Sequence, residues 1–233
     1  MTARRQPAGA AAHGIVRAGE TDIEVLSQVI ADAFFPLAPC QWLISDPAAR
    51  REIFPRYFRM YVQHAMADGL VHTTPGRDAA ALWIPLGPQL PEPPDGYDEH
   101  LAEITGQWVE RFAVFDGELD DHHLTGTEHH HLAILAVRPD RQGQGIGTAL
   151  LDAHHAVLDE RGTAAYLEAS DERTRRIYLR HGYADYGTPI QLPGGSSGHG
   201  DDGLPGQQAD GPRMYPMVRR PRPHSGLPAE KPA

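Results

Sequence analysis

Residues 131–151, HLAILAVRPDRQGQGIGTALL, decide the fold. A mostly apolar strand leads through a turn holding Arg138, Arg141 and three glycines into a helix. Ile146, Leu150, Ala153 and Val157 fall on one helical face, so the helix packs on a sheet. The amide N–H groups of its first turn lack intrahelical partners and point into the loop. Together with the helix dipole they form a site for a phosphate or pyrophosphate. A Walker loop would need Gly-Lys-Ser/Thr, and here Gly145 and Gly147 are followed by Ile and Thr. A dinucleotide fingerprint would need a tight glycine turn directly after the strand, and the stretch from Arg138 to Gln142 is too long for one. The pattern met in full is Gln-x-x-Gly-x-Gly, at Gln142, Gly145 and Gly147.

Outward from this segment, residues 129–137 read as a strand, 146–161 as a helix, 164–170 as a strand and 172–181 as a helix closed by Gly182. Upstream, a short strand at 15–17 precedes a helix opened by a capping box, Thr21 with Glu24. That helix carries Ile23, Leu26, Ile30 and Phe34 at helical spacing and ends in a loop shaped by Pro36 and Pro39. Asp46-Pro47 starts a second helix, which Pro55 should kink or split. Residues 70–74 and 79–84 form a hairpin around Pro75-Gly76, and a Pro-rich loop covers 85–96. A third helix spans 100–115, and residues 183–190 and 213–218 pair as the last strands. The whole is one α/β domain over 14–220, built around a mixed sheet. Residues 1–13 and those from 221 onward should be disordered, and 193–212 form a Gly-rich mobile insertion.

Composition sets bounds. The chain has 233 residues, 40% of them apolar, enough for a real core. Its 31 acidic and 21 basic side chains give a formal charge of −10, which argues against a nucleic-acid partner and suits a cationic one. No apolar run is long enough for a membrane span, and the first residues lack the apolar stretch of a secretory signal. With a single cysteine, Cys40, a reducing cytoplasm is expected. Cys40 has no helix start or basic neighbour that would make it a nucleophile. Fourteen histidines include runs at 122–123, 129–131 and 154–155. Known zinc spacings are absent, so no metal is expected, although His129 and His131 share one strand face.

The Gln142–Gly147 loop with its flanking strand and helix, the later YLEAS strand (166–170) and RRIYLRHGY (175–183) resemble, in this order, the GNAT N-acetyltransferases. ADAFFPLAPCQWLISDPAARRE (31–52) looks like the first helices of small-molecule members of the puromycin N-acetyltransferase type. The resemblance covers residues 14–220 and is strongest over 129–183. It implies an acetyl-CoA-dependent enzyme whose two central strands splay apart at their ends. The pantetheine arm would lie along Leu135, Ala136 and Val137. The loop from Arg141 through Gln142, Gly143, Gln144, Gly145, Ile146 and Gly147 to Thr148 would take the pyrophosphate, with Arg138 as a further cation.

Acetyl transfer to an amine needs a proton acceptor for the ammonium and benefits from a proton donor to the departing thiolate. The resemblance places Tyr178 as that donor. Relatives often carry Asn where this chain has Asp171, which cannot donate from an amide and could instead cap the next helix. The base is open among His131, which matches a histidine of arylalkylamine acetyltransferases, Glu168 on the YLEAS strand, and water. His129 shares the face of His131. Phe34, Phe35, Trp42 and Trp83, with Tyr57, are candidates for the acceptor pocket. The implied reaction is direct attack by a small-molecule primary amine, an antibiotic or a metabolite, within a ternary complex of a monomer or homodimer. Protein N-terminal acetylation and non-catalytic CoA binding are the alternatives.

Overall fold

The computed structural model describes residues 14–194 and 211–222. Eight strands form a single mixed sheet: β1 (Val16–Arg17), β2 (Leu70–Thr73), β3 (Ala79–Leu86), β4 (His129–Val137), β5 (Ala164–Ala169), β6 (Ala184–Asp185), β7 (Ile190–Gln191) and β8 (Arg213–Arg219). Their order is β1-β2-β3-β4-β5-β8-β6, and β7 also pairs with β8. Every neighbouring pair is antiparallel except β4–β5. A parallel pair needs a long crossover, which the helix predicted over 146–161 supplies.

Seven α-helices cover the two faces: α1 (Ile23–Phe34), α2 (Ala38–Leu43), α3 (Pro47–Asp68), α4 (Tyr97–Thr105), α5 (Val109–Asp121), α6 (Ile146–Arg161) and α7 (Glu172–Arg180). On one face α1 and α3 bury Leu26, Ile30, Phe54, Phe58 and Val62 against Leu82, Ile134 and Ala136 of the sheet. On the other, Leu150, Leu151 and Leu158 of α6 pack on Trp83, Leu132 and Leu167. Apolar burial on both sides explains why the central strands carry near-continuous hydrophobic runs.

A bulge sits in the middle of β4. Leu82 opposes Ile134 while Trp83 opposes Leu132, so Ala133 is the extra residue. It resets the alternation of the strand. Before it, His129 and His131 face the α1/α3 side; after it, Leu135 and Val137 turn towards α6.

Several elements differ from expectation. The Thr21/Glu24 box does not form: Gly19 N–H donates to Asp22 Oδ2 (3.0 Å), and Glu24 pairs with Arg59 (2.9 Å). Asp22 is drawn there because it also accepts from Arg77 Nε at 3.0 Å. The segment after α1 is the short helix α2 rather than a loop, with Pro39 in its first turn, where the missing N–H costs nothing. Pro55 does not split α3, which runs continuously through it. One lost backbone bond is outweighed by the buried stripe of Phe54, Tyr57, Phe58 and Val62. The helix expected over 100–115 is two helices, α4 and α5, because Gly106 adopts φ +55 and ends the first of them. Strand β3 extends through Pro85 to Leu86. The predicted N-terminal disorder over residues 1–13, most of the insertion (195–210) and the tail from 223 lie outside the described residues.

Helix α3 meets β2 at Gly69, where an added Cβ would overlap the Trp83 carbonyl oxygen, a backbone atom that cannot step aside. Gly69→Ala is expected to lower stability by roughly 3 kcal/mol, measured as a shift of the urea unfolding midpoint at unchanged slope.

Candidate functional site

Strands β4 and β5 pair only at their beginnings, through His129–Ala164, His130–Ala165 and His131–Tyr166. Beyond that point β4 continues to Val137 on β3, and β5 continues to Ala169 on β8, but the two strands no longer bond to each other. An opening therefore forms in the middle of the sheet, lined by strand backbone whose polar groups face the gap. Such groups are costly to leave unpaired, and an extended ligand bearing amides can satisfy them.

At the top of the opening β4 leads through a 3-10 turn, Pro139–Arg141, to the start of α6. Gly143 and Gly145 have φ of +75° and +82°, the left-handed region that a side chain disfavours. Gly145 is the N-cap and brings no side chain to the free amides. Ala149 is the first residue to donate back into the helix, to the Gly145 carbonyl at 3.0 Å. The N–H groups of Ile146, Gly147 and Thr148 are thus left for a ligand. Gln142 braces the turn by donating from Nε2 to the Val137 carbonyl (3.0 Å), and Gln144 donates to the Asp140 carbonyl (3.4 Å). Both arginines are already paired, Arg138 with Asp140 (2.6 Å) and Arg141 with Asp78 (3.2 Å). They bring little free positive charge to the loop, so the anion site is chiefly backbone. The backbone amides and the unpaired strand edges fit a pyrophosphate joined to an amide-bearing arm.

Below the opening, on the α1/α3 side, β4 and β5 bring His131 and Glu168 together, with His131 Nε2 2.9 Å from Glu168 Oε2. His123, from the segment between α5 and β4, places Nδ1 3.5 Å from Glu168 Oε1 and its ring 4.4 Å from that of Tyr166. His129 completes the group, with Nε2 3.3 Å from His123 Nε2. The His123 and Glu168 side chains are only 5% and 6% exposed, whereas His131 is 17% exposed and is the member a ligand reaches. Burial would raise the Glu168 carboxyl, but the neighbouring imidazoles, His131 first and then His123, prevail and hold it well below the usual carboxylate range. Burial pushes the imidazole of His129 down, towards its neutral form. His123 has no role in the sequence reading. The His122-His123 run was visible, but nothing in the sequence brings residue 123 against residue 168.

The remaining candidates scatter. Tyr178 packs with Leu135 and Val137 in the α6-side cluster, its ring 5.6 Å from that of Tyr183. It therefore lies across the sheet from His131 and Glu168, and burial raises its phenol pKa. Asp171 accepts from Thr174 N–H at 2.7 Å and caps α7, so its side chain is committed there and not to a cofactor. Phe34, Phe35 and Trp42 are half-buried around α1 and α2, on the side of the sheet that holds His131. Arg50 lies over the Phe35 ring (4.6 Å), and Trp42 Nε1 donates to the Pro193 carbonyl (2.8 Å). Trp83 does not join them. It is fully buried on the opposite face, stacked on His154 at 4.1 Å, and belongs to the core. Tyr57 is core as well, 3% exposed.

Residues 97–185 match the family described as acetyltransferase (GNAT) domain. A mycothiol acetyltransferase of Propionibacterium freudenreichii is 36% identical over 74 residues, 30% of this chain and 24% of that protein, so the chain spans about a quarter of the relative's length. Among solved structures, a protein described as histone acetyltransferase HPA2 and related acetyltransferase, from Corynebacterium glutamicum, superposes with a TM-score of 0.59 at 20% identity, over 93% of this chain and 98% of that one. Arylalkylamine N-acetyltransferase 2 of Aedes aegypti gives 0.58 at 13% identity, over 88% and 97%. The chain has the GNAT fold, with its mixed sheet open between β4 and β5.

Because Glu168 is depressed in the folded chain, the stability it contributes is complete above the unfolded glutamate pKa of about 4.3. That contribution drains away as the pH falls below it, towards the folded value. Between about pH 5 and pH 3, Glu168→Gln should therefore lose less stability than the parent chain, read from urea titrations at each pH.

Proposed function

We propose that the chain is an N-acetyltransferase that moves an acetyl group from acetyl-CoA to a primary amine of a small molecule, an antibiotic or a metabolite. The observation that carries this reading is the parting of β4 and β5 immediately below the glycine-rich start of α6, with a part-buried histidine–glutamate pair at its foot. When bound, acetyl-CoA supplies the acetyl thioester. The pyrophosphate would rest on the amides of Gly145 to Thr148, and the pantetheine arm along Leu135, Ala136 and Val137. The Val137 carbonyl already accepts from Gln142, which fixes the height of the loop above the strand.

His131 is the base in this reading. Its Nε2–H donates to Glu168, which leaves the lone pair on Nδ1 to take a proton from the incoming ammonium. Glu168 holds that tautomer and offsets the positive charge the ring acquires, the division of labour known from other buried carboxylate–histidine pairs. Tyr178, its proton retained by burial, lies on the α6 side of the opening, where it donates to the departing thiolate. The two proton transfers thus occur on opposite sides of the sheet, and the opening between β4 and β5 joins them.

A cationic acceptor suits the surroundings. Asp116 and Asp120 lie one turn apart on α5, and the charge of Asp120 is felt at both His123 and Glu168. The net charge of −10 favours the same class of ligand. The matched Aedes aegypti protein is named for arylalkylamine substrates, which also supports an amine.

Calorimetry with acetyl-CoA followed by thiol release over a panel of amines tests the reading. Gly145→Glu, which places a carboxylate at the amides, should weaken acetyl-CoA binding at least about a hundredfold without unfolding the chain. Tyr178→Phe should leave acetyl-CoA affinity intact and lower turnover by roughly tenfold or more. An absence of acetyl-CoA binding, or thiol release with no amine, would overturn the assignment.

A further inference from the structure

The polar row behind His131 has an unmet requirement. A carbonyl oxygen only accepts, so the 3.0 Å contact between His129 Nδ1 and the Thr127 carbonyl makes Nδ1 the protonated nitrogen of His129. A neutral His129 then offers a lone pair at Nε2, and that atom lies 3.3 Å from His123 Nε2. His123 donates there, which leaves its own lone pair on Nδ1. Nδ1 faces Glu168 Oε1 at 3.5 Å, and Oε1 has no hydrogen-bond donor among the described residues. Two acceptors are thus held face to face in a pocket nearly closed to solvent, an arrangement that calls for a positive charge between them.

At His123 the 3.5 Å spacing favours a metal ion over a proton, while the 2.9 Å His131–Glu168 contact is a hydrogen-bond length that would open as an ion enters. A charged N–H···O⁻ bond closes to about 2.7–2.9 Å. Two ligands bound to one zinc-like ion at about 2.0–2.1 Å stand roughly 3.3–3.4 Å apart in a tetrahedral shell. One atom from each of His123, His131 and Glu168 lies within 4.8 Å of the others. We propose that these three residues form a site for a divalent transition-metal ion of the zinc class. Two imidazoles and one carboxylate suit such an ion and disfavour calcium or magnesium, which require a shell of oxygens. The outer layer is also in place, since the Thr127 carbonyl orients His129 and His129 orients His123, as buried metal ligands are commonly oriented by a second hydrogen bond. Entry would be past His131, the most exposed of the three.

Occupation of the site has a consequence for His131. An ion on Nε2 takes that lone pair and moves the ring proton to Nδ1, the nitrogen assigned above to the incoming ammonium. The metal would therefore silence the base. This consequence rests on the proposed acetyl transfer; the binding itself does not.

The test is a Co²⁺ titration of the tag-free full chain, followed by its visible absorption, with Zn²⁺ as competitor. One equivalent should bind with a four- or five-coordinate spectrum and be displaced by Zn²⁺, and His123→Gln should weaken binding by at least about tenfold. In the unaltered chain, paramagnetic shifts of the His123 and His131 ring protons should accompany binding, a readout that survives if the variant fails to fold. No absorption band, a band that persists in both His123→Gln and Glu168→Gln, or ring protons left unshifted would overturn the site. Turnover of acetyl-CoA with an accepted amine should fall at least tenfold as Zn²⁺ saturates. Metal bound at His123 with turnover unchanged would uphold the site and remove His131 as the base.

Discussion

The separation of two strands that begin as partners governs this molecule. β4 and β5 share three residues of parallel pairing and then diverge, each still held by its other neighbour. A sheet interior normally satisfies its own backbone, so an opening there is stable only if both flanks are rigid. The flanks are rigid here because β3, β4 and β5 are buried on both faces, and because the crossover that makes β4 and β5 parallel is the helix whose amides cap the gap. The bulge at Ala133 adds the last element. By resetting the alternation it lets one strand present histidines to one side of the sheet and, four residues later, the Leu135 and Val137 side chains to the other.

The electrostatics follow from that geometry. A glutamate on an inner strand would be expensive if alone, and Glu168 is tolerated because imidazoles from two different segments meet its two oxygens. On the opposite face a second histidine group is built differently. His130 meets His154 at 3.1 Å, His154 stacks on Trp83, and burial takes the pKa of His154 down to about 3. Among the described residues no carboxylate pairs with His130 or His154, so this second group stays neutral and packs as aromatic core. Adjacent histidines of one strand thus serve opposite purposes, decided by whether a carboxylate lies across the sheet.

Much of this was legible in the sequence because it is local. The glycine loop, the strand at 129–137 and the helix at 146–161 are written in contiguous patterns of turn residues and period, and the structure reproduces them. So is the sharing of one face by His129 and His131. What escaped is what depends on distant partners. His123 gains meaning only when α5 delivers it to Glu168, 45 positions away. Trp83 reads as a pocket aromatic until strand register assigns it to the α6 side, and Arg141 reads as free until Asp78 is found beside it. The division of the third helix at Gly106 and the continuity of α3 through Pro55 show the same limit. In each, a local rule yielded to, or was enforced by, packing that no window of sequence contains.

The place of β8 bears on how the chain is made. It is the last strand of the described chain, yet it lies inside the sheet, between β5 and β6, and also carries β7. Arg219 at its end is 2% exposed and grips Asp159 of α6 through two bonds of 2.8 and 2.7 Å. During synthesis on the ribosome, residues 14–194 emerge with β5 open along one edge and Asp159 unmatched. The nascent chain must remain in that state until residue 219 clears the exit tunnel. For that interval β5 is an unpaired strand able to join with another chain. Closure of the sheet therefore waits for residue 219, and the interval before it is when the protein is most exposed to aggregation.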